Sequence, residues 1–214
     1  MKNENYIQTS VCRLCGSSNL SSVLKLASTP PANAFINKSK LNLKQKKYPL
    51  ELFFCNSCKH VQLSNIIDPK ELFENYVYVS GTSPVFRNHF LNYAKSIIEK
   101  YKPSLNSYVL DIGSNDGTLL KFFKEFGYKV IGVDPAIEIS KKANKDGITT
   151  INNFFNFDTA EKIKQTYSKA SLITANNVFA HCHDLSGITE AISSLLAPNG
   201  LFIFEVSYLV DVYE

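Results

Sequence analysis

The 214-residue chain lacks the features that place a protein in a membrane or send it through one. No run of about 18 apolar residues occurs, which excludes a membrane-spanning helix. The N-terminal sequence MKNENYIQTS has no apolar stretch after its lysine, so no signal peptide is visible. We therefore expect a cytoplasmic protein without a membrane partner.

Two glycine-rich signatures that bind nucleotide phosphates are missing as well. The turn that begins at Gly113 lacks the third glycine of the G-x-G-x-x-G dinucleotide fingerprint and its spacing. No P-loop, with a lysine and a serine or threonine after its glycines, is present. These absences argue against a dinucleotide and against a nucleoside triphosphate as the ligand.

The composition is that of a folded protein, and its charge is unevenly distributed. Hydrophobic residues make up 44% of the chain and charged residues 20%, which are globular proportions. Residues 1–106 contain 14 Lys/Arg and 6 Asp/Glu, whereas residues 107–214 contain 9 and 13. This asymmetry favours two modules, the first suited to an anionic partner. A solvated, lysine-rich surface explains the asymmetry equally well.

Four of the five cysteines form two Cys-x-x-Cys pairs, Cys12 with Cys15 and Cys55 with Cys58, and Cys182 stands alone. In a reducing compartment such pairs indicate metal ligands before disulfides. Four thiolates suit tetrahedral Zn²⁺ and leave no open position, so we predict a structural zinc site. A redox dithiol and a chance coincidence are the alternatives.

Local patterns place the second cysteine pair on a hairpin. Pro30 and Pro31 exclude a helix in the stretch STPPANAF, which lies between the two pairs. Tyr48–Phe54 is predicted as a strand and His60–Leu63 as its return, so that the second pair lies in the turn. A helical pattern covers 68–76.

A longer helix follows, and after it the predicted secondary structure changes to alternating strands and helices. Apolar residues recur with helical spacing from Phe86 to Tyr101, and Pro103 ends this helix. Strands and helices then alternate, which predicts a parallel, doubly wound α/β sheet with right-handed crossovers. The predicted strands are Tyr108–Gly113, Lys129–Asp134, Ile148–Ile151, Ser171–Asn176 and Leu201–Val206, and the predicted helices are Thr118–Phe126, Ile137–Lys145, Thr159–Tyr167 and Leu185–Leu196.

The first two strands of this sheet end in carboxylates, where such sheets bind ligands. Asp111 precedes a polar turn flanked by Gly113 and Gly117, and Asp134 can accept both hydroxyls of a ribose. This pairing resembles S-adenosylmethionine-dependent methyltransferases. The alternative is an ordinary Rossmann-like turn in which Asp116 caps a helix. The predicted cofactor-binding residues are Asp111, Gly113, Ser114, Asn115, Asp116, Gly117, Asp134, Pro135 and Asn176.

The whole pattern resembles the deoxysugar C-methyltransferases, a family that methylates nucleotide-linked keto-deoxysugars. The matching stretches run from residue 11 to 212 and read VCRLCGS, PANAF, YPLELFFCNSCKHVQL, LFENYVYVS, DIGSNDGTLL, GVDPA, NNVFAHCHDL and FIFEVSYLVDV. The resemblance implies a zinc-binding domain over 1–75, a helical connector with a substrate-side loop over 76–103, and an S-adenosylmethionine-binding domain over 104–214. The expected fold is a Rossmann-like methyltransferase sheet of about five strands behind a small zinc-binding domain.

The resemblance also implies the reaction and its residues. Methylation at carbon needs a carbanion, and a neighbouring keto group makes the carbon-bound proton acidic enough for a side-chain base. The enolate attacks the sulfonium methyl group while a hydrogen-bond donor stabilises the oxyanion. The resemblance places Tyr76, Tyr78, Asn177 and His181 at this site. A local hydrogen bond of His181 is the alternative for that residue.

The resemblance departs at the C-terminus. Family members continue with a Tyr-His-Glu-His run, which holds the principal candidate base, and with a further domain. We therefore expect a fragment, a truncated gene product or one part of a split enzyme that a second chain completes. The fifth strand would then expose an apolar edge.

Two other functions remain open. A zinc-ribbon module that binds RNA or DNA would need basic residues interleaved with stacking aromatics. Few aromatics lie among the candidate lysines, so a nucleic-acid partner is disfavoured; these lysines are Lys38, Lys40, Lys44, Lys46 and Lys47. A non-catalytic protein that binds S-adenosylmethionine is the third possibility.

Overall fold

The computed structural model describes residues 2–3 and 6–213. The chain forms two compact units that divide between Tyr76 and Val77. No helix in these described ranges has both the length and the apolar character needed to cross a membrane.

The first unit consists of two small antiparallel sheets and a short helix. One sheet has the order β1-β2-β6 and the other β3-β4-β5. Their elements are β1 (Lys2–Asn3), β2 (Tyr6–Gln8), β3 (Leu20–Thr29), β4 (Tyr48–Cys55), β5 (Val61–Leu63), β6 (Asn65–Ile67) and α1 (Pro69–Phe73).

The predicted hairpin is present as β4 and β5, which pair antiparallel and carry the second cysteine pair in their turn. The ten-residue strand β3 was not predicted. It is the edge strand beside β4 and is exposed along almost its whole length, so it shows no alternation of apolar and polar residues. The helix α1 is shorter than the predicted span; Asp68 caps it by accepting a hydrogen bond from the Lys70 N–H at 2.9 Å.

The second unit is an α/β sandwich with one five-stranded parallel sheet. Its order is β11-β10-β7-β8-β9, so the chain runs outward from β7 to one edge and then fills the other side. The elements are α2 (Pro84–Tyr101), β7 (Tyr108–Ile112), α3 (Thr118–Glu125), β8 (Lys129–Val133), α4 (Ile137–Lys145), β9 (Thr150–Ile151), α5 (Phe157–Tyr167), β10 (Ala170–Asn176), α6 (Leu185–Leu195), β11 (Leu196–Glu205) and α7 (Leu209–Tyr213).

The predicted Rossmann-like architecture is confirmed, with most boundaries within two residues. The largest shift is in β11, which begins five residues before the predicted start because Leu196 already pairs with Ala170 across an irregularity in the ladder. The short helix α7 was not predicted. β10 and β7 are neighbours although two strands and three helices separate them in sequence, and this is the switch point where such sheets bind ligands.

Alternation along the strands divides the core into two layers. Val109 and Leu172 face α2 and α3, whereas Leu110 and Ile173 face α5 and α6. The same alternation directs every second side chain at the carboxyl ends of β7, β10 and β11 toward α2. A polar residue at one of these positions therefore meets the first helix of the unit.

Candidate functional site

The four paired cysteines converge, since their sulfur atoms all lie within 4.8 Å of one another. Sγ of Cys12 lies 3.6 Å from Sγ of Cys58, and Sγ of Cys15 lies 3.6 Å from Sγ of Cys55. A tetrahedral Zn²⁺ site with Zn–S bonds of about 2.3 Å has sulfur–sulfur separations of about 3.8 Å. The donor set and its spacing therefore fit a ZnS₄ site.

Each cysteine pair lies in the same kind of turn, a zinc knuckle. The Gly16 N–H donates to the Cys12 carbonyl at 2.9 Å, and the Lys59 N–H donates to the Cys55 carbonyl at 2.8 Å. Both donors have left-handed backbones, with φ of 73° at Gly16 and 68° at Lys59. The first knuckle has glycine where the turn requires positive φ, whereas the second places a lysine there.

Backbone N–H groups favour the thiolate form of Cys55 in the second knuckle. Against the His60 N–H, burial and the neighbouring cysteine sulfurs raise the pKa of the other cysteine, Cys58. The N–H of Cys58, assisted by that of Ser57, donates to the Cys55 sulfur and lowers the pKa of this thiol to about 6, against the opposing effect of burial. The thiolate is the form that binds metal. Four cysteine ligands leave no position for substrate, so a metal here has a structural role.

A buried glutamine joins the two knuckles and was missed in the sequence. Gln62 on β5 accepts a hydrogen bond from the Arg13 N–H at 2.8 Å and donates to the Val11 carbonyl at 3.0 Å. It thereby holds the first knuckle against the hairpin that carries the second. The only signal in the sequence was its position four residues after Cys58 in an otherwise apolar return strand.

In the second unit, the turn Gly113–Gly117, here called the glycine turn, joins β7 to α3. Its backbone has positive φ at Gly113, Asn115 and Gly117, with values of 67°, 51° and 74°. A Cβ on Gly113 would collide with the Val178 side chain, and one on Gly117 would lie 2.9 Å from Ile148 Cγ2. The two glycines are therefore required by conformation and by close packing.

Asp134, at the end of β8, is bound to this turn. Its Oδ2 accepts the Asn115 N–H at 2.8 Å, and its Oδ1 accepts the Ala136 N–H at 2.8 Å. Burial raises the pKa of Asp134, while these two N–H groups act in the opposite direction. Each oxygen keeps a second lone pair, so the carboxylate can still accept hydroxyl groups of a ligand. Asn152 donates to the carbonyls of Asp134 and Pro135 at 3.0 Å and supports this corner.

Asp111 lies one residue before the end of β7, and its carboxyl is buried. Thr174 on β10 donates its hydroxyl to Asp111 Oδ1 at 2.7 Å. Burial raises the pKa of Asp111 to about 7; the Thr174 bond lowers it and the charge of Asp134 raises it further. A buried carboxyl of this kind carries a full negative charge only when a compensating group is present.

Polar groups without partners surround the α2 side of Asp111. Asn176 follows Thr174 on the same face of β10, and both its side-chain oxygen and nitrogen are buried without a hydrogen-bond partner in the described part of the chain. The buried hydroxyl of Tyr93 on α2 is likewise unpartnered among these residues. Burial, followed by the charges of Asp111 and Glu205, raises the pKa of Tyr93. Buried polar groups are almost always paired, so this cluster is a candidate site for a polar ligand.

A histidine and a glutamate adjoin this cluster and were also missed. His89 Nε2 lies 2.7 Å from Glu205 Oε2, a contact between α2 and the end of β11. Glu205 could have been recognised as a lone acid at the end of an apolar strand, and Tyr93 as the residue one helical turn after His89.

The four residues predicted to be catalytic lie in separate segments of the chain. Asn177 is exposed at the end of β10, with φ of 55°, and donates its N–H to the Glu205 carbonyl at 2.7 Å. His181 ends a short 3₁₀ turn and is exposed as a whole residue, while partial burial of its ring lowers its pKa. Tyr78 accepts a hydrogen bond from Asn115 Nδ2 at its carbonyl. Tyr76 belongs to the first unit, where its hydroxyl accepts a hydrogen bond from Asn33 at 3.2 Å.

Comparison with known families gives two matches. Residues 12–73 match a family described as "Putative zinc binding domain", and residues 86–213 match a family described as "Methyltransferase domain". The second match covers more than half of the chain. The chain belongs to the methyltransferase-domain family.

The match extends to a curated methyltransferase. The chain is 32% identical over 203 residues to the C-methyltransferase NovU of Streptomyces niveus, which is 95% of this chain and 48% of that protein. It thus spans about half the length of this relative. The crystal structure of the PH0226 protein from Pyrococcus horikoshii OT3 superposes with a TM-score of 0.50 at 17% identity, covering 64% of this chain and 61% of the other. This likeness shows the fold.

The cysteine geometry of this family member predicts about one equivalent of zinc in protein purified without chelators, measured by metal analysis. Cys55→Ser should lower the zinc content and the melting temperature, because one of four thiolates is lost. Cys182→Ser is the control, since Cys182 lies outside the cluster and should leave the zinc content unchanged. A metal-free protein whose melting temperature equals that of the zinc-loaded protein would contradict the assignment.

Proposed function

We propose that this chain binds S-adenosylmethionine at the carboxyl end of its parallel sheet and methylates a carbon atom of a nucleotide-linked keto-deoxysugar. Membership in the methyltransferase-domain family supports the reaction type. The cluster of buried polar groups at the ends of β7, β8 and β10 is the observation that carries the binding site. The name of the 32% identical relative supports carbon as the methylated atom.

The residues fit the proposed methyl donor in chemical terms. Asp134 has free lone pairs for ribose hydroxyls, and the glycine turn lets a ligand approach its backbone closely. Asp111 offers a negative charge to a cation. Asn176 and Tyr93 offer the donors and acceptors that an amino-acid group requires. When bound, S-adenosylmethionine supplies an electrophilic methyl group.

The substrate must lose a proton from carbon before it is methylated. Burial lowers the pKa of His181, so its imidazole is neutral at pH 7 and can accept or relay that proton. Asn177 is exposed at the strand end and can donate a hydrogen bond to the oxygen of the enolate. Tyr78 is proposed to contact the sugar. The zinc site stabilises the first unit and takes no part in the chemistry.

The reaction is tested by transfer of a labelled methyl group from S-adenosylmethionine to a panel of keto-sugar nucleotides. His181→Ala should lower the transfer rate by about 10² to 10⁴, as is typical for loss of a general acid–base group. His183→Ala is the matched control and should retain the rate. Transfer that survives His181→Ala would remove that residue from the mechanism. Binding of the donor without transfer to any keto sugar would contradict the proposed substrate.

Asp134→Ala should weaken binding of S-adenosylhomocysteine by roughly 1.5–3 kcal/mol, because the ribose loses a charged acceptor. The measurement is isothermal titration calorimetry. Asp146→Ala serves as control, since it removes the same charge from a half-exposed residue that pairs with Lys121 at 3.4 Å. Equal affinities of the two variants would place the ribose elsewhere.

The raised pKa of Asp111 predicts that binding of the sulfonium donor depends on pH. Below the folded-state pKa of about 7 the carboxyl is mainly protonated. A cation favours the carboxylate, so binding then releases a proton. Affinity for S-adenosylmethionine should therefore rise by up to about tenfold per pH unit between about pH 5 and pH 7, and level off above.

Calorimetry across this pH range gives the slope. S-adenosylhomocysteine, whose sulfur is neutral, should show a weaker dependence, and Asp111→Asn should remove the dependence that belongs to this carboxyl. A slope that Asp111→Asn leaves unchanged would show that another group titrates.

A further inference from the structure

Asn115 in the glycine turn holds a segment that precedes α2. We call this segment, Tyr78–Thr82, the upstream segment. Asn115 Nδ2 donates to the Tyr78 carbonyl at 2.9 Å, and its Oδ1 accepts the Ser80 N–H at 2.9 Å. A side-chain amide has the same donor and acceptor as a peptide group. One side chain thus binds two backbone groups that lie two residues apart.

A second contact independently places the upstream segment on the glycine turn. A Cβ on Gly81 would collide with side-chain oxygens of Asp116 and Thr118. Asp116 is itself held in place, because Thr118 donates its hydroxyl to Asp116 Oδ1 at 2.7 Å. The backbone at Gly81 therefore lies directly on the start of α3, where a larger residue would have to displace the side chains of Asp116 and Thr118.

The backbone of Asn115 reaches the opposite side of the site. Its N–H donates to Asp134 Oδ2, the carboxylate proposed to accept the ribose hydroxyls. Its φ of 51° is left-handed, a conformation that asparagine adopts more readily than most residues. Glycine would keep this φ and lose both side-chain bonds. Aspartate would keep φ and the acceptor for Ser80, but would direct a carboxylate oxygen at the Tyr78 carbonyl.

We propose that Asn115 is a positioning residue that places Tyr78 for the substrate and couples this placement to occupation of the donor site through Asp134. The inference rests on the proposed function. Asn115 was predicted to bind the cofactor, yet the hydrogen-bonding groups of its side chain are directed at the upstream segment. A ligand that orders Asp134 and the glycine turn lowers the entropy cost of ordering the segment bonded to that turn.

Hydrogen–deuterium exchange at the Ser80 amide tests this coupling, because that amide donates to Asn115 Oδ1. In the unsubstituted protein, saturating S-adenosylhomocysteine should slow this exchange by roughly tenfold or more. In Asn115→Gly the amide should exchange rapidly with and without the ligand, while affinity for the ligand changes by less than about threefold. Asn115→Asp should give partial protection, since it keeps the acceptor. Asn199→Gly is the control, an exposed asparagine with φ of 61° away from the upstream segment.

Methyl-transfer kinetics separate positioning from cofactor binding. Asn115→Gly should lower kcat by about tenfold or more with little change in KM for S-adenosylmethionine, and it should retain its melting temperature. Loss of cofactor affinity equal to the loss of kcat would make Asn115 a cofactor ligand and overturn the inference. Ser80 exchange that does not respond to the ligand in the unsubstituted protein would also overturn it. If S-adenosylhomocysteine does not bind at all, the proposed function fails. Slow exchange of the Ser80 amide in unliganded Asn115→Gly would refute the role of the Asn115 side chain separately.

Discussion

The hydrogen bond from the Asn115 N–H to Asp134 Oδ2 joins the ends of the two central βα units. It exists because β7 and β8 pair in parallel, which brings their carboxyl ends to the same edge of the sheet. The Gly113 N–H extends this pairing by donating to the Val133 carbonyl at 2.7 Å. The glycine turn is thus fixed from β8 as well as by its own bond from the Gly117 N–H to the Ser114 carbonyl at 2.9 Å. The positive φ at Gly113 and Gly117 explains these two glycines.

Without a ligand, the buried polar groups at the carboxyl end of the parallel sheet lower the free energy of unfolding. Asp111 and Asp134 are both buried, and Asn176 and Tyr93 leave polar atoms unpaired among the described residues. Each buried unpaired polar group costs on the order of 1–3 kcal/mol. The ligand proposed above, a cation with hydroxyl and amino-acid groups, would remove these costs on binding. The stability given up here therefore becomes binding energy, which is the usual arrangement at functional sites.

Parallel strands, the glycine turn and the cysteine pairs could be predicted because each has a local signal. Buried strands such as β7 are apolar runs that end at a glycine turn, and the bounds of α4 agree at both ends. The exposed strand β3 and the very short strands of the first unit carry no such signal. The contact of His89 with Glu205 spans 116 residues, and it follows only when the face of the sheet that α2 covers is known. The bonds of the Asn115 side chain to Ser80 and Tyr78, which span 35 and 37 residues, were missed for the same reason.

The two units are stabilised by different interactions. In the first unit the buried apolar residues, among those described, are Cys12, Tyr48 and Cys55, so a hydrophobic core contributes little. Two of these three are cysteines of the ZnS₄ cluster, and the buried Gln62 joins the knuckles around it. The second unit instead buries continuous apolar layers on both faces of its sheet. Removal of the metal should therefore unfold the first unit and leave the parallel sheet of the second unit intact. Hydrogen exchange should then become fast at the amides of β4 and stay slow at those of β7.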